Sequence, residues 1–174
     1  MSRALYIGRF QPFHGGHREV VERIAEESDV DELIVGIGSA GQSHSRRNPF
    51  TAGERHMMLT RALSDTPLET FVVPIEDIDR NALWVSHVQS LCPPFEVVYS
   101  NNPLVVRLFD EREIEVRQIP LIERDTYEGT SIRERMIEGQ EWSDLVPDPV
   151  AETIREIEGV ERLERVTDSD TNES

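Results

Sequence analysis

The sequence contains no lysine: all 18 of its positive side chains are arginine, set against 34 aspartates and glutamates for a formal net charge of −16. That balance excludes binding driven by attraction to a nucleic-acid backbone, which needs a positive surface. There is one cysteine, Cys92, so no internal disulfide can form, and its place beside Pro93 and Pro94 reads as that of a buried small hydrophobe. No apolar run approaches the length of a membrane span, so no membrane partner is expected. The first residues pass straight into a strand-like run at Ala4 without the apolar stretch of a signal peptide, and the expected location is the cytoplasm. Hydrophobic residues make up only 37% of the chain, yet they fall in short ordered runs, which excludes a disordered chain. An acid excess of this size destabilises a compact state unless salt screens it, so a protein of a high-salt, halophilic cytoplasm is expected.

What is present is an alternation of two periodicities. Residues 4–8, 33–37, 70–73, 95–99 and 114–116 read as strands, short and apolar throughout. Between them lie helical patterns: one beginning near His17 with Val20, Val21, Ile24 and Ala25 on one face, then others at about 51–63, 81–91 and 104–109. Thr51 and Glu54 have capping-box spacing. Ser131 with Glu134 reads as another cap, and Asp148-Pro149 as a cap followed by a first-turn proline. The expected fold is α/β, a Rossmann-like doubly wound parallel sheet of about five strands with C-terminal helices. One domain is expected over 1–166, its C-terminal helical part at about 130–158, followed by a disordered acidic tail at 167–174.

In such sheets ligands bind beyond the C-terminal strand ends. The polar residues that invite attention fall there: Arg9 to His17, Ser39 to Asn48, Pro74 to Asn81, and Asn101 with Asn102. The strongest signal is Gly8-Arg9-Phe10-Gln11-Pro12-Phe13-His14-Gly15-Gly16-His17. Glycines after a strand let backbone approach a ligand, and a helix N-terminus aims its free N–H groups at an anion. Two histidines around Gly15 and Gly16 suit a phosphate chain, each donating to anionic oxygens and either able to gain charge in the transition state. A metal pair fits less well, since no third or fourth ligand is near, and no protein metal site is expected. The spacing is not G-x-G-x-x-G, and without any lysine a P-loop is excluded. Arg46 and Arg47 stand out in an acidic chain, while Trp84 by composition alone reads as a core residue.

His14-Gly15-Gly16-His17 resembles the H-x-G-H signature of the nucleotidyltransferase superfamily. The longer stretch from Gly8 resembles the archaeal nicotinamide-mononucleotide adenylyltransferases, as do residues 48–55, 81–85 and 98–103; the resemblance covers about 3–140. It implies ATP and nicotinamide mononucleotide as substrates, Mg²⁺ accompanying ATP, and a homo-oligomer such as a hexamer. It further implies His14, His17 and Arg133 as catalytic residues, with Gly8, Arg9, Phe10, Gly16 and Thr130 around ATP and its phosphates. Arg47, Asn81 and Trp84 are implied to bind the mononucleotide, Trp84 by stacking on its ring. The second signature, S-x-T-x-x-R, is present as Glu128-Gly129-Thr130-Ser131-Ile132-Arg133, with Glu128 in place of serine. A carboxylate beside a triphosphate repels it unless it turns away or faces a cation. Two rival readings remain: transfer to another acceptor (flavin mononucleotide, pantetheine phosphate or a cytidylyl acceptor), and a nucleotide-binding regulator without catalysis.

Overall fold

The computed structural model describes residues 2–120 and 128–172. Five strands, β1 (Arg3–Gly8), β2 (Glu32–Ile37), β3 (Glu69–Pro74), β4 (Val97–Tyr99) and β5 (Glu115–Arg117), form one parallel sheet in the order β3-β2-β1-β4-β5. β1 is central: Ala4 lies opposite Leu33 on one side and Val97 on the other. The side-chain period of two explains why these strands are apolar throughout. Ala4, Tyr6, Leu33, Val35, Val97 and Tyr99 point into the larger core, whereas Leu5, Ile34 and Val98 point into the smaller one on the opposite face.

Helices α1 (Gly15–Glu26) and α2 (Ala52–Ala62) cover the larger core with Val20, Val21, Ile24, Met58, Leu59 and Ala62. Helices α3 (Asn81–Leu91) and α4 (Pro103–Asp110) cover the smaller one with Val85, Val88 and Phe109. Cys92 is half-buried against this second core, and burial pushes its thiol up to about 11. The chain therefore changes face after β3 and returns beside β1. That places a switch point between β1 and β4, where the loops diverge and leave a crevice.

Thr51 and Glu54 cap α2 reciprocally, as their spacing predicts: Glu54 N–H donates to Thr51 Oγ1 at 3.1 Å and Thr51 N–H to Glu54 Oε1 at 2.8 Å. The other two cap expectations are corrected. Helix α5 (Gly129–Ile137) starts before Ser131, with Glu128 as its N-cap. Helix α6 (Asp148–Glu156) contains Asp148 as its first residue, with no side-chain cap. The acidic tail also reads differently. Helix α7 (Gly159–Asn172) continues through 167, because Val160, Leu163 and Val166 recur on one face against the larger core and Thr167 is buried beside them. Arg162 secures it, donating both Nη groups to Glu54 at 2.6 and 2.7 Å and Nη1 to the Pro49 carbonyl at 3.2 Å.

Candidate active site

Helix α1 begins at Gly15, earlier than its apolar spacing suggests, because a pair of histidines closes its end. His14 is the N-cap, in extended backbone, and its Nδ1 accepts the Gly16 N–H at 3.1 Å. His17 Nδ1 in turn accepts the His14 N–H at 3.1 Å. A backbone amide only donates, so each ring must carry its proton on Nε2. The rings stack on each other with centroids 3.7 Å apart, and Phe10 and Phe13 pack against His17 at 4.8 and 5.6 Å. Burial, reinforced by Arg133, lowers His14 to about 4, and burial with the neighbouring His14 holds His17 well below its usual value. Both are neutral donors at pH 7. A second proton on either ring would sit on Nδ1 and set N–H against N–H in the cap.

Phe10 turns its side chain to the core. Its side chain is 1% exposed, under the histidines rather than on a ligand surface, and its φ of 54° is unusual for a bulky residue. Gly8 makes room for it, since a Cβ there would lie 2.9 Å from the Phe10 ring.

Three guanidinium groups come together nearby. Arg133, from the first turns of α5, donates Nη1 to the Gln11 carbonyl at 2.8 Å and Nη2 to Thr130 Oγ1 at 3.3 Å. Gly129 permits this, because a Cβ there would meet Arg133 Nη1 at 2.9 Å. Gln11 is itself fixed, its side-chain amide exchanging hydrogen bonds with the Phe50 backbone at 2.9 and 3.0 Å. Arg133 is lowered to about 10 by burial and then by Arg9 and Arg47. Arg9 is lowered by burial and Arg47, with Asp77 opposing. Among the described residues none of the three forms an ion pair with a carboxylate. In a chain of net charge −16, cations gathered at one place without a salt bridge among the described residues make a local field that suits an anion.

Arg9 and Arg47 border a cavity of about 700 Å³ at the switch point. Loops after all five strands line it: Gly8 and Arg9; Gly38, Ser39 and Arg47; Asp77 and Asn81; Ser100 to Asn102; and Ile119, Glu128 and Gly129. His14, Gly16 and His17 form the wall at the α1 N-terminus. Trp84 lines the far part, half-buried, with one edge on Phe109 at a ring distance of 5.6 Å. Leu104, Val105 and Leu108 add an apolar strip from α4. Gly8, Arg9, His14, Gly16, His17, Arg47, Asn81 and Trp84 thus meet in one cavity, while Thr130 is exposed beside it and Arg133 stands behind the Gln11 carbonyl. Glu128 lines the cavity as the N-cap of α5 without capping it. Residues 123–127 of the expected arginine-bearing loop lie outside the described residues. No group of three or more His, Cys, Asp or Glu side chains among the described residues could hold a metal ion.

Three further residues of the site carry no role in the sequence reading. Asn48 Oδ1 accepts from Arg9 Nη1 at 3.5 Å. Asp77 accepts from Ser39 Oγ at 3.2 Å across the cavity wall. Arg55, 0% exposed, donates to backbone carbonyls of the loops below Arg9 and Arg47. Its signal was present, because Arg55 falls in helical register with Leu59 and Ala62 on the buried stripe of α2.

The sequence matches the cytidylyltransferase-like family over residues 5–135. Among similar proteins, one from Halobacterium salinarum named nicotinamide-nucleotide adenylyltransferase is 64% identical over 172 residues, 99% of this chain and 96% of that one. Proteins of the same name from Haloarcula marismortui and Methanoculleus marisnigri are 61% and 56% identical; the alignments span 98% of this chain in both cases, and 90% and 100% of the relatives. A crystal structure of a bifunctional NMN adenylyltransferase/ADP ribose pyrophosphatase from Francisella tularensis, complexed with AMP and a manganese ion, superposes with a TM-score of 0.76. It is 18% identical and the match covers 98% of this chain but 53% of that one, so it bears on the fold alone.

Proposed function

The chain belongs to the cytidylyltransferase-like family, and on that premise we propose that it transfers the adenylyl group of ATP to nicotinamide mononucleotide, giving NAD and pyrophosphate. The names of its full-length relatives support this reading. The observation that carries it is the neutral, cap-locked histidine pair facing one cavity with Arg9 and Arg47.

A phosphate oxygen of the mononucleotide attacks the α-phosphorus of ATP. A P–O bond forms there as the bond to the departing pyrophosphate breaks. That oxygen is already ionised near neutral pH, so no strong base is needed. The protein's work is alignment and charge stabilisation. The Nε2–H groups of His14 and His17 and the free amides of the α1 N-terminus donate to the polyphosphate at no cost in proton uptake. Arg133 and Thr130 form the second phosphate clamp, with Gly16 allowing close approach and Gly8 seating Phe10 under the pair. Arg9 and Arg47 hold the mononucleotide and ATP phosphates together against their mutual repulsion. Trp84 takes the cationic ring on its indole face and Asn81 orients the ring's amide. Mg²⁺ fits such a site as a cation held by substrate phosphates and water, neutralising phosphate oxygens when bound.

The same reading places the enzyme in the cytoplasm as a homo-oligomer, a hexamer, adapted to high salt by its acidic surface. A scattering mass in molar KCl tests the hexamer, and failure of the melting temperature to rise from dilute buffer to molar KCl removes the salt adaptation. The function is tested by incubating the protein with ATP, Mg²⁺ and, in separate reactions, nicotinamide mononucleotide, flavin mononucleotide or pantetheine phosphate, and by replacing ATP with CTP. Pyrophosphate and NAD in the first reaction alone are expected. Another product overturns the acceptor, and ATP binding without turnover overturns the enzyme in favour of a regulator.

A further inference from the structure

Arg55 is a fully buried cation without a carboxylate partner. The carboxylate beside it in sequence, Glu54, is taken by Arg162 and by the Thr51 amide. All its bonds go instead to neutral backbone oxygens: Nε to Thr51 at 3.2 Å, Nη1 to Arg9 at 2.8 Å and Gly38 at 3.0 Å, and Nη2 to Ser39, Ala40 and Gln42 at 3.2–3.4 Å. Burying a guanidinium costs several kcal/mol unless its donors are satisfied, and only the planar five-donor fork of arginine can satisfy this many acceptors at once. Apart from that of Thr51, the α2 N-cap, those carbonyls belong to the exit of β1 and the loop after β2, two segments that also meet where the Gly38 amide donates to Gly8 at 2.8 Å and where Gln11 bonds the Phe50 backbone. The first carries Arg9, the second Ser39 and Arg47, and all three line the cavity, whereas Arg55 does not.

We propose that Arg55 is a positioning residue for the phosphate-binding site: it ties the exit of β1 to the loop after β2 and so sets the spacing of Arg9 and Arg47, which it does without touching substrate. The geometry makes this specific. Arg55 Nη1 bridges the carbonyl of Arg9 to that of Gly38, so just beyond the direct Gly38–Gly8 hydrogen bond the two segments are held within the span of one nitrogen's two hydrogen bonds. Arg9 and Arg47 repel each other, and without the bridge the loop relaxes outward until the pair no longer grips one polyphosphate. The phosphate ligand in this argument rests on the adenylyltransferase reading, but the spacing of the cations does not.

The test uses inorganic pyrophosphate as the probe, with binding measured by calorimetry on the full chain. R55K keeps a charge, but its one ammonium nitrogen can replace at most three of the six carbonyl bonds and cannot hold both ends of the loop at once; R55M removes the charge and keeps the length. Both are expected to weaken pyrophosphate by about tenfold or more, the loss of roughly one charged contact, and to lower kcat further through misalignment, at temperatures well below melting. Unchanged affinity in a folded R55K or R55M, with only a lower melting temperature, overturns the proposal in favour of a purely structural arginine. Should neither variant fold, hydrogen exchange on the wild-type protein decides. The Gln42 amide, bonded only within its own loop to Ser39, is expected to be protected as strongly as those of β1 because Arg55 pins that loop, and fast exchange there overturns the proposal. Wild-type protein that binds pyrophosphate but makes no NAD refutes the function and leaves the role of Arg55 to be judged by the same titration.

Discussion

Replacing His14 by asparagine separates two jobs that alanine would confound. His14 Nδ1 caps α1 by accepting the Gly16 amide, and its Nε2–H is left to face the cavity. Asparagine is among the best N-cap residues, and its Oδ1 can accept the same amide, but it has no group at the position of Nε2. Alanine loses both. Loss of one donor to developing charge costs about 2.7–4 kcal/mol, or ~100- to 1000-fold in kcat, and both variants should show it. Loss of the cap costs about 0.5–2 kcal/mol of stability, and only His14→Ala should show that. Both variants also remove the ring 3.7 Å from that of His17, so the cap is read from the difference in stability between them. Steady-state formation of NAD, together with thermal unfolding of both variants in molar KCl, reads the two effects independently. Wild-type kcat in His14→Asn would refute the donor role, and equal melting temperatures for the asparagine and alanine variants would refute the cap.

Three other outcomes follow from the same geometry. Arg133→Ala is expected to fold and to lose ~100- to 1000-fold in kcat; retained turnover removes the second clamp. Trp84→Ala should raise KM for nicotinamide mononucleotide by the worth of a desolvated cation–π contact, up to about 2 kcal/mol, with less effect on KM for ATP, and a KM change confined to ATP reverses the assignment of the two ends of the cavity. Acid should destabilise the free enzyme. Because folding lowers His14 from 6.5 to about 4, the unfolded chain binds the extra proton first, so stability is complete above pH 6.5 and falls as pH drops toward 4. The loss from this group is about 3 kcal/mol on the linkage relation, and urea unfolding at pH 7 and pH 5 that gave equal stabilities would contradict the neutral pair.

The sheet was legible because its strands are buried on both faces. Runs such as Leu33 to Ile37 carry that information in every residue, and the C-terminal strand ends then located the cavity. Helix starts were less legible. Ser131 and Glu134 have the spacing of a cap, but α5 packs Ile132 and Met136 inward and gains a turn by starting at Gly129, where the absence of a side chain admits Arg133. Histidine is an unusual cap, so the sequence indicated the pair's ligand without revealing that the helix end fixes their tautomers. Phe10 was implied near ATP by the family resemblance; that its side chain faces the core depends on a positive φ that no pattern announces. The tail at 167–172 looked structureless because a helix held by a sparse stripe and one bidentate ion pair has little apolar content to display.

The concentration of unpaired arginine at the cavity, inside a chain carrying an excess of sixteen negative charges, also shapes how substrate arrives. A polyphosphate anion approaching from afar meets the field of the whole surface, which repels it; only within about a Debye length of the cavity does the arginine cluster dominate. Salt therefore acts with opposite signs on the two stages of capture, stripping away the distant barrier while weakening the final grip. For most enzymes with charged substrates, added salt slows association. Here the association rate of ATP should first rise with ionic strength and fall only once the grip of the arginine cluster is itself screened.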